Sequence, residues 1–323
     1  MRQIIMTGPK TSKIKEVSDL KPSADQLLIR QTYVGVCMSE HQNWKDAKDG
    51  DAMGHEPLGQ IVEVGSNVSG FTVGDYVSGL WGSCLPGSGG MMEYAVADPR
   101  IDTVIKLPGN IRHEDLILEP LACMMSAVSK MKCSMPGTKV CVVGCGYMGC
   151  GIISLLKLRG FFVVGVDIRK ESLEDAKRFG ADEVFLSDEI FAQYPNGSFE
   201  FVTEWGETNE SLDLAINLTK QCGQLSIGAY HTGGKRMVDV QQLNLKAIDC
   251  VSVHPREANL SADGARNAVK LLACGAWKFV NLPIKIYPMS KFDLAHEEIE
   301  SKHGKFMKAI IDMTKIDGDP VII

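Results

Sequence analysis

The stretch AMGHEPLGQIVEVG (52–65) sets an imidazole, His55, beside a carboxylate, Glu56, between glycines and at the mouth of an alternating apolar segment. Upstream, Cys37 closes the β-like run TYVGVC; downstream, Glu119 and Cys123 lie in LEPLACMM. Thiolate, imidazole and carboxylate together suit tetrahedral zinc, and three protein ligands would leave a fourth position for water or substrate. Each residue alone has a plainer use, a buried cysteine as a small hydrophobe and a His–Glu pair as a hydrogen-bonded loop.

A second cluster does different chemistry. VCVVGCGYMGCGIISLL holds Gly144-x-Gly146-x-x-Gly149 between a strand-like run and a helix-like run, with Tyr147 and Met148 inside the motif. Glycines there permit a tight turn, close backbone approach to a pyrophosphate, and helix–strand packing, while the helix N-terminus attracts the phosphate charge. Asp167, ending FFVVGVD about 20 residues on, fits an acceptor for the adenosine ribose hydroxyls. An acid at 167 repels a 2′-phosphate, so NAD is expected over NADP; Arg169 works the other way, since a nearby arginine accommodates that phosphate.

These residues need scaffolding, and the pattern supplies two kinds. From 26 to 97, short β-type runs separated by glycine turns (QLLIRQTYVGVC, GQIVEVG, GDYVSGL, MEYAVAD) argue a compact β-barrel or sandwich. From 137 the rhythm becomes α/β. KVCVVG, FFVVGVD, FEFVTEW and GQLSIGAY alternate with helical stretches at 149–159, 171–179 and 209–220, which implies parallel strands with crossover helices. Gly180 and Gly223 fall where left-handed helix caps are expected. IKIYP, a helix over 291–301 and FMKAIID are too little for a third domain, so they return to the first. His231 and His254 fall at strand ends of the α/β unit, where they could face a cofactor.

Composition sets the outer bounds. Thirty-four basic against 40 acidic side chains give a net charge of −6 without a basic block, so nucleic acid and anionic membranes are poor partners. The uncharged run 140–156 is short for a membrane span and broken by four glycines. MRQIIMTGPKTSK has no apolar core of signal-peptide length, and the expected location is the cytoplasm. Ten cysteines never fall as Cys-x-x-Cys, which argues reduced thiols rather than a disulfide framework.

Taken in order, GVCMSEH, GHEPLGQIVEVGSNVSGFTVGDYV, LEPLACM and VVGCGYMG resemble the zinc-containing medium-chain dehydrogenase/reductase family over nearly the whole chain. The resemblance implies a GroES-like catalytic domain over 1–124 and 283–323, a Rossmann domain over 125–282, and zinc at the cleft between them. It assigns Cys37 and His55 as ligands and Glu56 as a neighbour that coordinates directly or through water. For the third ligand, EPLA matches the polyol and sugar branch and so favours Glu119, while the simple-alcohol branch uses the position of Cys123. Ser39 matches the hydroxyl that takes the substrate proton, and Glu40 the acid that orients the zinc-bound histidine. Where many relatives carry a proton-passing histidine this chain has Gln42, leaving the exit to water or to His41, unless His41 is a surface residue without a role.

The four-cysteine lobe of many relatives is reduced here to Cys84, so one metal per subunit is expected, with Cys133, Cys141, Cys145, Cys150, Cys222, Cys250 and Cys274 as core or packing thiols. Lys308 matches a basic position near the cofactor pyrophosphate, against its simpler role as a solvated strand lysine. Trp44, Trp81, Met91 and Met92 either line the cleft or pack. The implied activity is hydride transfer between NAD(H) and a polyol, sugar or other secondary alcohol in a homodimer or homotetramer. A zinc-free quinone or enoyl reductase, or a non-catalytic dinucleotide-binding protein, are the competing functions.

Overall fold

The structure, a computed structural model, describes residues 1–81, 90–132, 135–254, 256–301 and 305–323. The chain divides into two compact units, Met1–Ala122 with Ala265–Ala273 and Val280–Ile323, and Cys123–Gly264 with Cys274–Phe279.

In chain order, β1 (Arg2–Gly8) and β2 (Thr11–Glu16) form an antiparallel hairpin. There follow β3 (Leu27–Gly35), a 3-10 turn Met38–Glu40, α1 (His41–Lys45), β4 (Glu56–Val64), β5 (Tyr76–Leu80), β6 (Tyr94–Ala97), β7 (Thr103–Lys106) and α2 (Leu118–Ser129). The second unit carries β8 (Lys139–Val143), α3 (Tyr147–Leu158), β9 (Phe162–Asp167), α4 (Lys170–Arg178), β10 (Glu183–Leu186), α5 (Ile190–Gln193), β11 (Phe199–Glu204), α6 (Asn209–Leu218), β12 (Thr219–Ile227), α7 (Val240–Lys246), β13 (Asp249–Ser252) and α8 (Ala258–Ala273), whose last turns group with the first unit. The chain ends with β14 (Ile284–Pro288), α9 (Phe292–Ser301), β15 (Lys308–Asp312) and β16 (Val321–Ile322).

The first unit is built on a sheet ordered β16-β14-β15-β3-β4-β5-β7, with β6 also on β3. β3 shows how the sequence aims its side chains. Leu27 and Ile29 pack with Ile61, Val77 and Trp81 in one core, whereas Val34 and Val36 join Trp44, Tyr287, Phe292 and Ile311 in another. The change of parity follows a register shift between Gln31 and Tyr33, since one extra residue turns every later side chain to the other face. Cys37, still extended after Val36, therefore falls on the face away from that core. β15 lies antiparallel on β3, so the C-terminal strands complete this sheet.

The second unit holds a six-stranded parallel sheet ordered β10-β9-β8-β11-β12-β13, the order of a doubly wound dinucleotide-binding sheet. Its central strands KVCVV, FVVGVD and FEFVTE are almost wholly buried, because a parallel sheet hides both faces.

Gly180 caps α4 at φ +106, where a left-handed residue is expected. Gly223 does not cap α6. That helix stops at Leu218, Thr219 turns extended and donates its hydroxyl to Ala215 O at 2.7 Å, and Gly223 lies inside β12, where a Cβ would meet Glu200 O at 2.9 Å. No helix of the described residues is long and apolar enough to cross a membrane.

Candidate functional site

Strand register brings the first cluster together. Gly35 at the end of β3 pairs with Glu56 at the start of β4 and with Ile310 of β15. Cys37 just beyond β3, His55 just before β4, and Lys308 at the start of β15 thus meet at one end of three adjacent strands. Cys37 Sγ, a His55 ring nitrogen and a Glu56 carboxylate oxygen all lie within 4.8 Å of one another. Gly35 is required by this meeting, for a Cβ there would sit 1.8 Å from Glu56 Oε2.

The neighbours fix each donor. Ser39 Oγ donates to Cys37 Sγ at 3.2 Å. Glu40 Oε1 accepts from Gly54 N at 2.7 Å and lies 3.2 Å from His55 Nδ1, which sets the ring's orientation. Glu56 is fully buried; its Oε2 forms an ion pair with Lys308 Nζ at 2.5 Å, and its Oε1 has no hydrogen-bond partner. Lys308 also donates to Val36 O at 3.1 Å.

Burial disfavours charge on His55, but hydrogen bonds to Cys37 and Glu40, with their charges, outweigh it and push its pKa up to about 12. Burial likewise opposes the Lys308 ammonium, and Glu56, Cys37 and Glu119 reverse that and raise its pKa. Several anionic donors therefore converge on a shielded point that stabilises positive charge. Sulfur, nitrogen and oxygen donors with a buried, unpartnered carboxylate oxygen fit a zinc ion.

Glu119, in the first turn of α2, acts on Lys308 through its charge but is not one of the three mutually close donors. Cys123, one helical turn later and half-buried, groups with the second unit. Cys84 and Cys133 lie outside the described residues.

The second cluster is assembled by the parallel sheet. Gly144, φ +91, ends β8's run so closely against the next loop that a Cβ would fall 2.7 Å from Gly206 N. Gly146 differs: its φ is −74 and a Cβ would meet nothing within 4 Å, so the protein's own packing does not call for glycine there. Open backbone beside the first turn of α3, whose N-cap has no side-chain bond, is what a pyrophosphate needs. Tyr147 and Met148 open α3, the Tyr147 ring lying 5.5 Å between centroids from Phe279, and Gly149 packs within the turn. Asp167 ends β9 as expected, and it also ties the motif together: Oδ2 accepts from Cys145 N at 2.7 Å and Oδ1 from Arg169 N at 2.9 Å. Arg169 Nε is 3.6 Å from the same carboxylate.

Several residues sit elsewhere than their sequence context suggests. Lys308 is 7% exposed, so it is not a solvated strand lysine; the Glu56 carboxylate draws it in. His41 is buried rather than superficial, stacked near Trp44 and His296 with Glu300 Oε2 3.3 Å from its Nε2. Gln42 bonds Asp46 on the surface. Trp44, Trp81 and Met91 are core packing. Cys141, Cys145 and Cys150 are buried thiols, but Cys222, Cys250 and Cys274 are exposed. Sequence reasoning missed the Glu56–Lys308 pair and the need for Gly35, which only strand register reveals. It also left unplaced His231, which bonds the buried Glu204 at 2.9 Å.

Comparison with known proteins identifies the family. The family profile for the alcohol dehydrogenase GroES-like domain matches residues 23–109, and that for the zinc-binding dehydrogenase matches 148–273. D-xylulose reductase A of Aspergillus oryzae is 30% identical over 89% of this chain and 89% of its own. D-arabitol-phosphate dehydrogenase of Enterococcus avium is 25% identical over 89% of this chain and 90% of its own. Among solved structures, acetophenone reductase from Geotrichum candidum, in complex with NAD, shares the fold with a TM-score of 0.82 at 19% identity, covering 98% of each chain. The chain thus belongs to the zinc-containing medium-chain dehydrogenase family, with a GroES-like β-rich part and a doubly wound dinucleotide-binding part.

Proposed function

We propose that the protein is a zinc-dependent dehydrogenase moving hydride between NAD(H) and the secondary alcohol of a polyol, sugar or sugar derivative. The observation that carries this is the meeting of Cys37 Sγ, His55 and Glu56 within 4.8 Å, with the Ser39 hydroxyl bonded to that sulfur. Cys37 and His55 would hold the ion, Glu56 would add an oxygen directly or through water, and Glu119 is the favoured third ligand with Cys123 its rival.

Zinc, when bound, lowers the pKa of a substrate hydroxyl, and NAD accepts the hydride. Ser39 is placed to take the hydroxyl proton. Glu40 keeps the His55 ring in one tautomer, and Lys308 neutralises Glu56 so that the buried carboxylate does not draw the proton instead. The turn at 144–149 and α3's N-terminus hold the pyrophosphate, and Asp167 the adenosine ribose. Arg169 is already paired with Asp167, which supports NAD over NADP.

Polyol chemistry is favoured by the relatives, whose names include D-arabitol-phosphate dehydrogenase and D-xylulose reductase. A homodimer or homotetramer fits the exposed, one-sided edge of β13. The free thiols fit a reducing compartment such as the cytoplasm. The test is a panel of polyols, sugars and simple alcohols run with NAD and NADP in parallel. Reduction of NAD by a polyol or sugar is expected; no turnover of any alcohol despite tight NADH binding would overturn the assignment in favour of a non-catalytic binder.

A further inference from the structure

The dinucleotide reading accounts for one half of the parallel sheet and leaves the other half's mouth without a role. Asp167 ends β9 and the glycine turn follows β8, so the adenosine half and the pyrophosphate belong to the β10-β9-β8 side. In a doubly wound sheet the second nucleoside half lies beyond the carboxyl ends of the following strands, here β11 and β12.

Two loops leave those strand ends, and a single carboxylate joins them. Glu204, the last residue of β11, is fully buried. Its Oε1 accepts from Gly206 N at 2.7 Å, Glu207 N at 2.9 Å and Ser211 Oγ at 2.6 Å, and its Oε2 lies 2.9 Å from His231 Nε2 in the loop after β12. A second bond set repeats the tie, with Thr232 N and Oγ1 on Glu207 Oε1 at 2.9 and 2.7 Å. Gly206 is also the residue against which Gly144 of the pyrophosphate turn rests, so turn, Glu204 loop and His231 form one connected series. His231 takes a left-handed φ of +53, uncommon outside glycine, which the paired loops hold in place.

The chemistry of the pair then specifies a ligand. The Glu204 carboxylate oxygen accepts, so Nε2 is the donor of this bond, and in that tautomer Nδ1 is the ring's acceptor. That Nδ1 is buried and has no hydrogen-bond partner. An unmet buried acceptor carries a desolvation cost that a ligand donor would remove. Gly233 and Gly234, at φ +80 and +121, carry the chain on in the left-handed region that favours glycine. The nicotinamide ribonucleoside brings suitable donors, the carboxamide N–H and the ribose hydroxyls.

We propose that His231, oriented by Glu204, is the side chain that holds the nicotinamide ribonucleoside half of the cofactor. The proposal rests on the dinucleotide site described above. Its test is calorimetric binding of NADH, ADP-ribose and ADP to the full chain as wild type, His231→Ala and His231→Gln. NADH affinity should fall about tenfold in His231→Ala, with ADP unchanged within about twofold and partial recovery in His231→Gln, which keeps an acceptor. ADP-ribose weakening alongside NADH assigns the bond to the ribose, and ADP-ribose unaffected assigns it to the carboxamide. Equal weakening of NADH and ADP, or NADH affinity unaltered by His231→Ala, overturns the proposal. Wild type binding neither NADH nor ADP would instead overturn the dinucleotide site itself, and the proposal with it.

Discussion

Replacing Lys308 by Met keeps most of the side chain's length and removes its charge together with its hydrogen bond to Val36 O, so the loss reads mainly the worth of the Glu56–Lys308 pair. At 2.5 Å and an effective dielectric of about 20, the attraction is 332/(20 × 2.5), roughly 7 kcal/mol, before desolvation is subtracted. Much of that is offset by taking both ions out of water, yet deleting one partner strands the other, and such losses run at about 3–5 kcal/mol. Glu56 is 0% exposed, so the upper part of that range applies to the metal-free protein.

A bound dication at Cys37 and His55 supplies Glu56 with a substitute partner, so the zinc-loaded variant should lose clearly less. Urea unfolding of chelator-treated and zinc-loaded protein reads both numbers; for the metal-free form the midpoint should drop by about 1 M or more. A loss below about 1 kcal/mol in the metal-free form, or equal losses in the two forms, would refute a charged, buried pair coupled to a metal.

Two further outcomes follow from the same geometry. Gly146→Ala adds a methyl group that meets nothing within 4 Å, so stability should stay within about 0.5 kcal/mol while NADH affinity falls at least about tenfold in a fluorescence titration; unchanged affinity would remove the backbone cradle. Burial, and then the charge of His41, lowers the His296 pKa to about 3. Between the ordinary histidine range and that value the unfolded chain binds a proton the folded one refuses, so stability should fall as pH drops below about 6, by at most about 1.4 kcal/mol per pH unit from this group. His296→Phe should flatten that part of an acid-unfolding curve, and an unaltered slope would show that His296 is charged in the folded state.

The parts of this protein visible in its sequence are those with strong local signals. β8 and β9 read as strands because each is a largely continuous apolar run and β11 because it is rich in aromatic and β-branched residues, and Gly144, Gly146, Gly149 and Asp167 keep their spacing whatever surrounds them. The adjacent His55 and Glu56 are legible for the same reason. β10 and β13 did not, since EVFL is half-buried throughout and DCVS is mostly exposed, which leaves little periodicity to detect. The exposed Cys250 follows from the same edge strand.

Long-range pairing was the other blind spot. Nothing near Lys308 announces that it will be buried, because its partner Glu56 is supplied by strand register across β3. Gly35 looks like any strand-end glycine until Glu56 is placed beside it. At α6, helical composition continues past Leu218, but Thr219 bonds back to Ala215 O and ends the helix early.

Metal analysis of purified wild type beside Cys37→Ser, with NADH binding measured on both, reads directly whether Cys37, His55 and Glu56 hold a zinc ion. Wild type should carry about one zinc per chain and Cys37→Ser almost none, with NADH affinity unchanged. Wild type without zinc, or Cys37→Ser that retains it in full, would show that these three side chains do not form a zinc site.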